Sequence, residues 1–305
     1  MRKIGLVLSG GMAKGAYQVG ALQAVSDYFT LRDFAYVSAA SIGCLNAYAF
    51  LTNQLDTAKN LWLDSTADNY SIMISSILRS AFIQNSIRHL VSEQSIENNF
   101  YIPLLDIKNR TLSYFDLFGI SQEDVEPYLA ASVALPIFNT GVRIKETIYF
   151  DGAMVDNIPV FPLVGKDLDY IILLYFDNQN MIFESAEFDN RIIKLSFPDP
   201  SLKSSLKLTR DEVIDMIDLG YCQSKRILEY IFKSGIDDAE EIRSRIKAYN
   251  SGFPGQKVFL SGDILVRQMN KIVKKFAHAE IISSDMEMCE AVAHRKIIPV
   301  ARGDR

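Results

Sequence analysis

The chain is poor in the residues that most often build metal and redox sites. Its 305 residues include three cysteines and three histidines. Cys44, Cys222 and Cys289 stand far apart with no CxxC pair, so they offer neither a disulfide framework nor zinc-ligand spacing and suit a reducing cytoplasm. His89, His278 and His294 are as widely spread, and no metal or organic cofactor is expected. A basic excess is missing too. Lys+Arg number 32 against 37 Asp+Glu, a net charge of −5, which argues against nucleic acid as a partner. Long apolar runs are absent: the longest, Tyr170 to Phe176, is seven residues, whereas a membrane span needs about 20. Met1-Arg2-Lys3 before Ile4 to Leu8 mimics a signal peptide, but that run has five residues and glycines follow at once. The expectation is a cytoplasmic protein, or one peripheral at a membrane surface.

Hydrophobic residues make up 49% of the chain and charged residues 23%, the balance of a folded protein with a sizeable core. Ile4 to Leu8 is predicted to be a buried strand, because a short apolar run bounded by Ser9-Gly10-Gly11 fits a strand covered on both faces. A helix follows from Gly15 to Phe29, then a strand from Phe34 to Ser38 and a helix from about Ser41 to Leu51. This β-turn-α-β-turn-α order implies a mainly parallel sheet with helices on its faces. Residues 52–95 read as helical and partly exposed. Leu104 to Asp106 and Thr111 to Phe115 read as a strand pair, Gln122 to Ala131 as a helix, and Ile148 to Phe150, Tyr170 to Phe176 and Arg191 to Leu195 as strands. Thr209-Arg210-Asp211-Glu212 is a capping box that opens a long helix. Three more helices are expected over Asp237 to Tyr249, Asp263 to Ala279 and Ser284 to His294. Residues 1–200 are expected to form the α/β core, with 201–305 a helical extension packed on it within one domain.

Three segments carry chemistry. Ser9-Gly10-Gly11-Met12-Ala13-Lys14-Gly15 lies between a strand and a helix. Clustered amides at a helix N-terminus can hold a phosphate or a developing oxyanion. A dinucleotide fingerprint would need glycine where Met12 stands, and a P-loop would need Lys-Ser/Thr where Ala16-Tyr17 stands. An oxyanion hole needs only the amides, and a plain tight turn needs no ligand. Ala39-Ala40-Ser41-Ile42-Gly43 matches the nucleophile elbow G-x-S-x-G except for Ala39; alternatively, Ser41 is an ordinary N-cap. Asp151-Gly152-Ala153 ends a strand, where Asp151 is a candidate general base or part of a simple turn.

Together, these segments resemble the bacterial patatin-like phospholipases. The resemblance rests on residues 8–20, on Ala40-Ser41-Ile42-Gly43, on residues 131–138, and on Asp151-Gly152-Ala153 with Asp156-Asn157-Ile158-Pro159. It spans about half the chain. It implies a three-layer patatin-like α/β fold and a lipid acyl hydrolase acting through a Ser–Asp dyad on lipid or at a membrane surface. Ser41 would be the nucleophile and Asp151 its base. The amides of Gly10, Gly11 and Met12 would form the oxyanion hole, with Gly15, Gly43 and Gly152 supporting the turns. Lys14 would hold the loop or place an anionic head group. Met12 and Ala39 depart from the family pattern, each standing where glycine is usual.

Two other classes of protein compete with this one. A Ser-His-Asp esterase would need His278 or His294, both inside expected helices rather than on a loop after a strand. A non-catalytic lipid-binding protein would keep the fold with a weakened site. A basic face on Asp263 to Ala279, carrying Arg267, Lys271, Lys274, Lys275 and His278, suits either anionic lipid or plain solvent. The apolar stretch from Tyr70 to Ile83 suits an acyl-chain channel, a cap over the site, or core packing.

Overall fold

Strand β1 (Ile4–Leu8) is apolar at every position but one because both its faces are covered. Ile4, Leu6 and Leu8 belong to one core, and Val7 to a second core on the opposite face of the sheet. The computed structural model describes residues 2–66, 72–73, 81–91, 95–136, 140–176, 181–183, 190–197, 207–232, 238–252, 256–258 and 294–300.

After β1 come α1 (Gly15–Ser26), β2 (Phe34–Ala39), α2 (Ile42–Leu51), α3 (Leu55–Asp64), the two-residue β3 (Ile72–Met73) and α4 (Ala81–Leu90). Then follow β4 (Asn99–Asp106), β5 (Thr111–Asp116), α5 (Gln122–Ser132), β6 (Val142–Ile144), β7 (Thr147–Asp151), β8 (Tyr170–Phe176), β9 (Met181–Phe183) and β10 (Ile192–Phe197). The remainder is β11 (Lys207–Leu208), α6 (Arg210–Ile231), α7 (Ala239–Asn250), β12 (Gln256–Val258) and β13 (His294–Pro299).

The main sheet runs β10-β8-β1-β2-β4-β5-β13, with β7 on β4 and β6 on β7. β10, β8, β1, β2 and β4 pair in parallel, as does β13 with β5, whereas β5 and β7 are antiparallel to β4. Helices α1, α2 and α6 cover one face, and the segment around Ile158 to Leu168 covers the other. This is the expected three-layer α/β arrangement. The capping box forms as read: the Glu212 amide donates to Thr209 Oγ1 at 3.3 Å and the Thr209 amide to Glu212 Oε2 at 2.8 Å.

One pairing decides where the site lies. β2 runs parallel to β4 and last pairs at Ser38 with Tyr101; β7 runs antiparallel to β4 and ends with Asp151 opposite Leu104. β5 pairs with β4 along that whole stretch, so β2 and β7 share β4's other edge and advance toward each other. Their C-terminal ends meet across a short gap.

Three expectations change. β4 begins at Asn99, well before the expected Leu104; Pro103 masks it in the sequence, since proline is rare inside sheets. In the structure Pro103 stands level with the gap between β2 and β7. The C-terminal part is not purely helical, because β13 adds an edge strand to the main sheet. His294 therefore opens a strand instead of closing a helix; the rest of that expected helix, the Asp263 to Ala279 helix and most of the Tyr70 to Ile83 stretch lie outside the described residues.

Candidate active site

Ser41 occupies the turn between β2 and α2. Its backbone has φ 53° and ψ −133°, a region that costs an L-residue about 1–3 kcal/mol. The turn is held on both sides: the Ala40 amide donates to Leu8 O at 3.0 Å and the Cys44 amide to Ser41 O at 2.8 Å. Ser41 sits at the N-cap position of α2, yet its side chain makes no capping hydrogen bond. The plain N-cap reading therefore fails. Gly43 lets α2 start directly over β1, since a Cβ there would lie 2.8 Å from Ser9 O. Ala39, in place of the usual glycine, is fully buried without disturbing the turn.

Asp151 arrives at the end of β7 and is fully buried. Its amide donates to Ala134 O at 2.9 Å. Oδ1 accepts from the Ala153 amide at 2.8 Å, so the turn reading holds for that oxygen. Oδ2 is sealed from solvent with no partner of normal hydrogen-bond geometry. Burial pushes the Asp151 pKa from 3.8 up to about 7, against the opposing pull of the Ser41 side chain and the Ala153 amide. Ser41 is therefore the side-chain neighbour that favours the ionised carboxyl, although Oδ2 has no hydrogen bond of normal geometry. Catalytic hydrogen bonds commonly tighten only when substrate binds. Gly152 allows this close approach: a Cβ on it would lie 2.3 Å from Pro103 O.

The glycine loop closes over Ser41. A Cβ on Gly10 would lie 2.3 Å from Asn157 Oδ1 and 3.0 Å from Ser41 Cβ. The three loop amides are not equivalent. That of Gly10 donates to Asn157 O at 3.1 Å and is already engaged. Those of Gly11 and Met12 enter no hydrogen bond among the described residues, nor does that of Ile42 at the start of α2. These three can meet an oxyanion, and the α2 N-terminus adds partial positive charge. Met12 adopts φ 52° with its side chain 39% exposed, clear of the core. Gly11 packs on the Phe176 ring, over which Lys14 Nζ lies 4.6 Å from the ring centre.

Residues to which the motifs assign no role hold these parts together. Gln18 and Asn46 are buried inside apolar helices. Gln18 Nε2 donates to Ser9 O at 2.7 Å; Asn46 Nδ2 donates to Gly15 O at 2.9 Å and to Gln18 Oε1 at 3.0 Å; Trp62 Nε1 donates to Asn46 Oδ1 at 3.3 Å. Two amide side chains on otherwise apolar helix faces were the available signal, because buried amides need partners. Asp156 is tied elsewhere, accepting from Tyr114 OH. Among the histidines, His89 is exposed on α4 with Nδ1 2.7 Å from Asn85 O, and His278 lies outside the described residues. The backbone of His294 is on β13, three strands from β2, a separation of about 14 Å at normal strand spacing.

A serine on a left-handed strand-to-helix turn, a buried carboxyl beside it and amides above it that are unengaged among the described residues are parts that acyl transfer on an α/β sheet requires. The sequence matches the family Patatin-like phospholipase over residues 6–164, more than half of its length. The chain belongs to this family of lipid hydrolases. No curated protein gave a significant sequence match. Among solved structures it is similar to VipD from Legionella pneumophila, at 11% identity and TM-score 0.44, over 92% of this chain and 77% of VipD. It is also similar to the type III effector ExoU, at 16% identity and TM-score 0.39, over 93% of this chain and 67% of that one. The ExoU–SpcU complex of Pseudomonas aeruginosa gives 11% identity and TM-score 0.38, over 92% and 62%. Among the described residues no helix is long and apolar enough to cross a membrane, and no cluster of His, Cys, Asp and Glu could hold a metal ion.

Proposed function

We propose that this protein is a serine lipid acyl hydrolase of the phospholipase A or lysophospholipase kind, cleaving carboxylic esters through a Ser41–Asp151 dyad. The observation that carries this reading is the sealed Asp151 carboxyl beside Ser41, whose pKa of about 7 suits a general base at neutral pH.

Ser41 Oγ attacks the ester carbonyl carbon while its proton passes to Asp151. The tetrahedral oxyanion is met by the amides of Gly11 and Met12, with that of Ile42 as a third donor. Losing one such donor typically costs about 3 kcal/mol. Collapse expels the alcohol, which takes the proton from Asp151, and leaves an acyl group on Ser41. Water, deprotonated by Asp151, then releases the fatty acid. Asp151 serves without an intervening imidazole, consistent with the three-strand separation of His294 from β2.

The test is labelling by a fluorophosphonate probe, which reacts only with an activated serine, combined with mass spectrometry of lipid products. Labelling at Ser41 and release of fatty acid, both lost in Ser41→Ala, are expected. A folded wild type that neither labels nor releases fatty acid would instead fit a lipid-binding protein.

A further inference from the structure

The described residues contain an apolar cavity of about 60 Å³ between α2, α3 and α4. α2 contributes Ile42 and Leu45, α3 contributes Ala58, Leu61 and Trp62, and α4 contributes Leu90. With Asn46 also in the wall, the positions on each of α2 and α3 are three and four residues apart, so one face of each helix lines the space. We propose that this pocket receives the tail of the substrate's acyl chain and limits its length. The proposal rests on the hydrolase reading above and adds a specificity determinant to it.

Position is the first argument. Ile42 directly follows Ser41 in the chain, which fixes their Cα atoms 3.8 Å apart. Gly15, at the head of α1, abuts both Ile42 and Trp62: a Cβ on it would lie 2.6 Å from Trp62 Cζ2 and 3.0 Å from Ile42 Cγ1. One end of the pocket thus lies where the serine turn and the glycine loop come together. From Ile42 to Leu45 the wall then descends about one helical turn away from the serine.

Chemistry is the second argument. The polar residues in the wall spend their hydrogen bonds on the protein: Asn46 on Gly15 and Gln18, and Ser65 on Trp62 O at 2.6 Å. Only Ser86 Oγ is buried without a partner. Hydrocarbon fits such a wall, whereas a head group would leave its own polar atoms unpaired. Size is the third. An apolar cavity of ~150 Å³ takes a benzene ring, so this one takes about two or three carbons of a chain end. With the carbons needed to reach it from the serine, chains of about four to eight carbons are selected over acetyl and over long chains. Each methylene that enters should raise kcat/KM about fourfold.

The test compares p-nitrophenyl acetate, octanoate and dodecanoate. Ala58→Leu fills the pocket, and the octanoate-to-acetate ratio of kcat/KM should fall by about tenfold or more. Leu61→Ala enlarges it, and the dodecanoate-to-octanoate ratio should rise severalfold. Thermal melts establish folding; if Ala58→Leu does not fold, Leu61→Ala carries the test. Ratios equal to wild type in a folded variant overturn the proposal while leaving the hydrolase reading intact. A wild type inactive on all three esters counts against the hydrolase reading, and binding then decides the pocket. Trp62 is the single tryptophan and lines the cavity, so octanoic acid entering it should change intrinsic fluorescence. A response lost in Ala58→Leu, or weakened for octanoate in Leu61→Ala, supports the pocket; no response in wild type overturns it.

Discussion

Asn157 clamps Gly10 twice. The Gly10 amide donates to Asn157 O at 3.1 Å, and Asn157 Nδ2 donates back to Gly10 O at 3.2 Å. The glycine loop, 147 positions earlier in the chain, is thereby fixed to the segment that follows Asp151. Asn157→Ala removes the side-chain half of this clamp. Turnover should fall about tenfold to a hundredfold, less than the loss of an oxyanion donor itself. KM should change little, and fluorophosphonate labelling of Ser41 should slow by the same factor. Wild-type labelling in the folded variant would show that the clamp does not position the loop.

In the proposed mechanism the raised pKa of Asp151 sets the pH dependence of the reaction. A base must be ionised, so kcat/KM should rise with unit slope and level off above about 7. At pH 5 the rate should be down about a hundredfold. Asp151→Asn should lose a factor of at least about 10² and abolish that limb. Asp156→Asn is the control: Asp156 binds Tyr114 OH and its amide bonds to Gly152 O, so this variant should lose stability and keep the limb. A limb unaltered in Asp151→Asn would assign the base elsewhere.

The same group makes a prediction about stability, of opposite sign. The folded carboxyl titrates near 7 and the unfolded one near 3.8, so between these values the folded state binds the extra proton. The stabilisation is full below the unfolded pKa and is lost as pH rises through about 7, by roughly 4 kcal/mol in all. Asp151→Asn carries no charge to desolvate. Its melting temperature relative to wild type should climb between pH 5 and pH 8, by about 4 °C. A constant difference across that range would show that the Asp151 charge is not desolvated.

Ser41 supplies a test of backbone strain. Ser41→Ala and Ser41→Gly both remove the hydroxyl, but only glycine is at ease at φ 53°. Both variants should be inactive. Ser41→Gly should be the more stable of the two by about 1 kcal/mol, despite glycine's greater freedom in the unfolded chain. Equal unfolding midpoints in denaturant would mean that the turn carries no strain.

Local sequence carried much of this protein. β1, α1, β2 and α2 follow from apolar runs interrupted by small residues, and the limits of β8 are legible because a strand buried on both faces is apolar throughout. Ser41 and Asp151 are legible because each stands in a short motif, Ser41 in the turn just after a strand and Asp151 at a strand's end. Which loop amides are unengaged was not, because the partner of the Gly10 amide comes from Asn157, far along the chain. The buried links from Trp62 through Asn46 and Gln18 to Ser9 were hidden for the same reason. Strand direction was hidden most completely. A short apolar run has the same pattern whether it pairs parallel or antiparallel, so nothing in Thr147 to Asp151 shows that it descends along β4 to meet the end of β2. Residue types and spacing determined which groups this protein has for chemistry. The pairing of β2 and β7 on one edge of β4, a choice between registers that only the assembled sheet makes, decided that they meet.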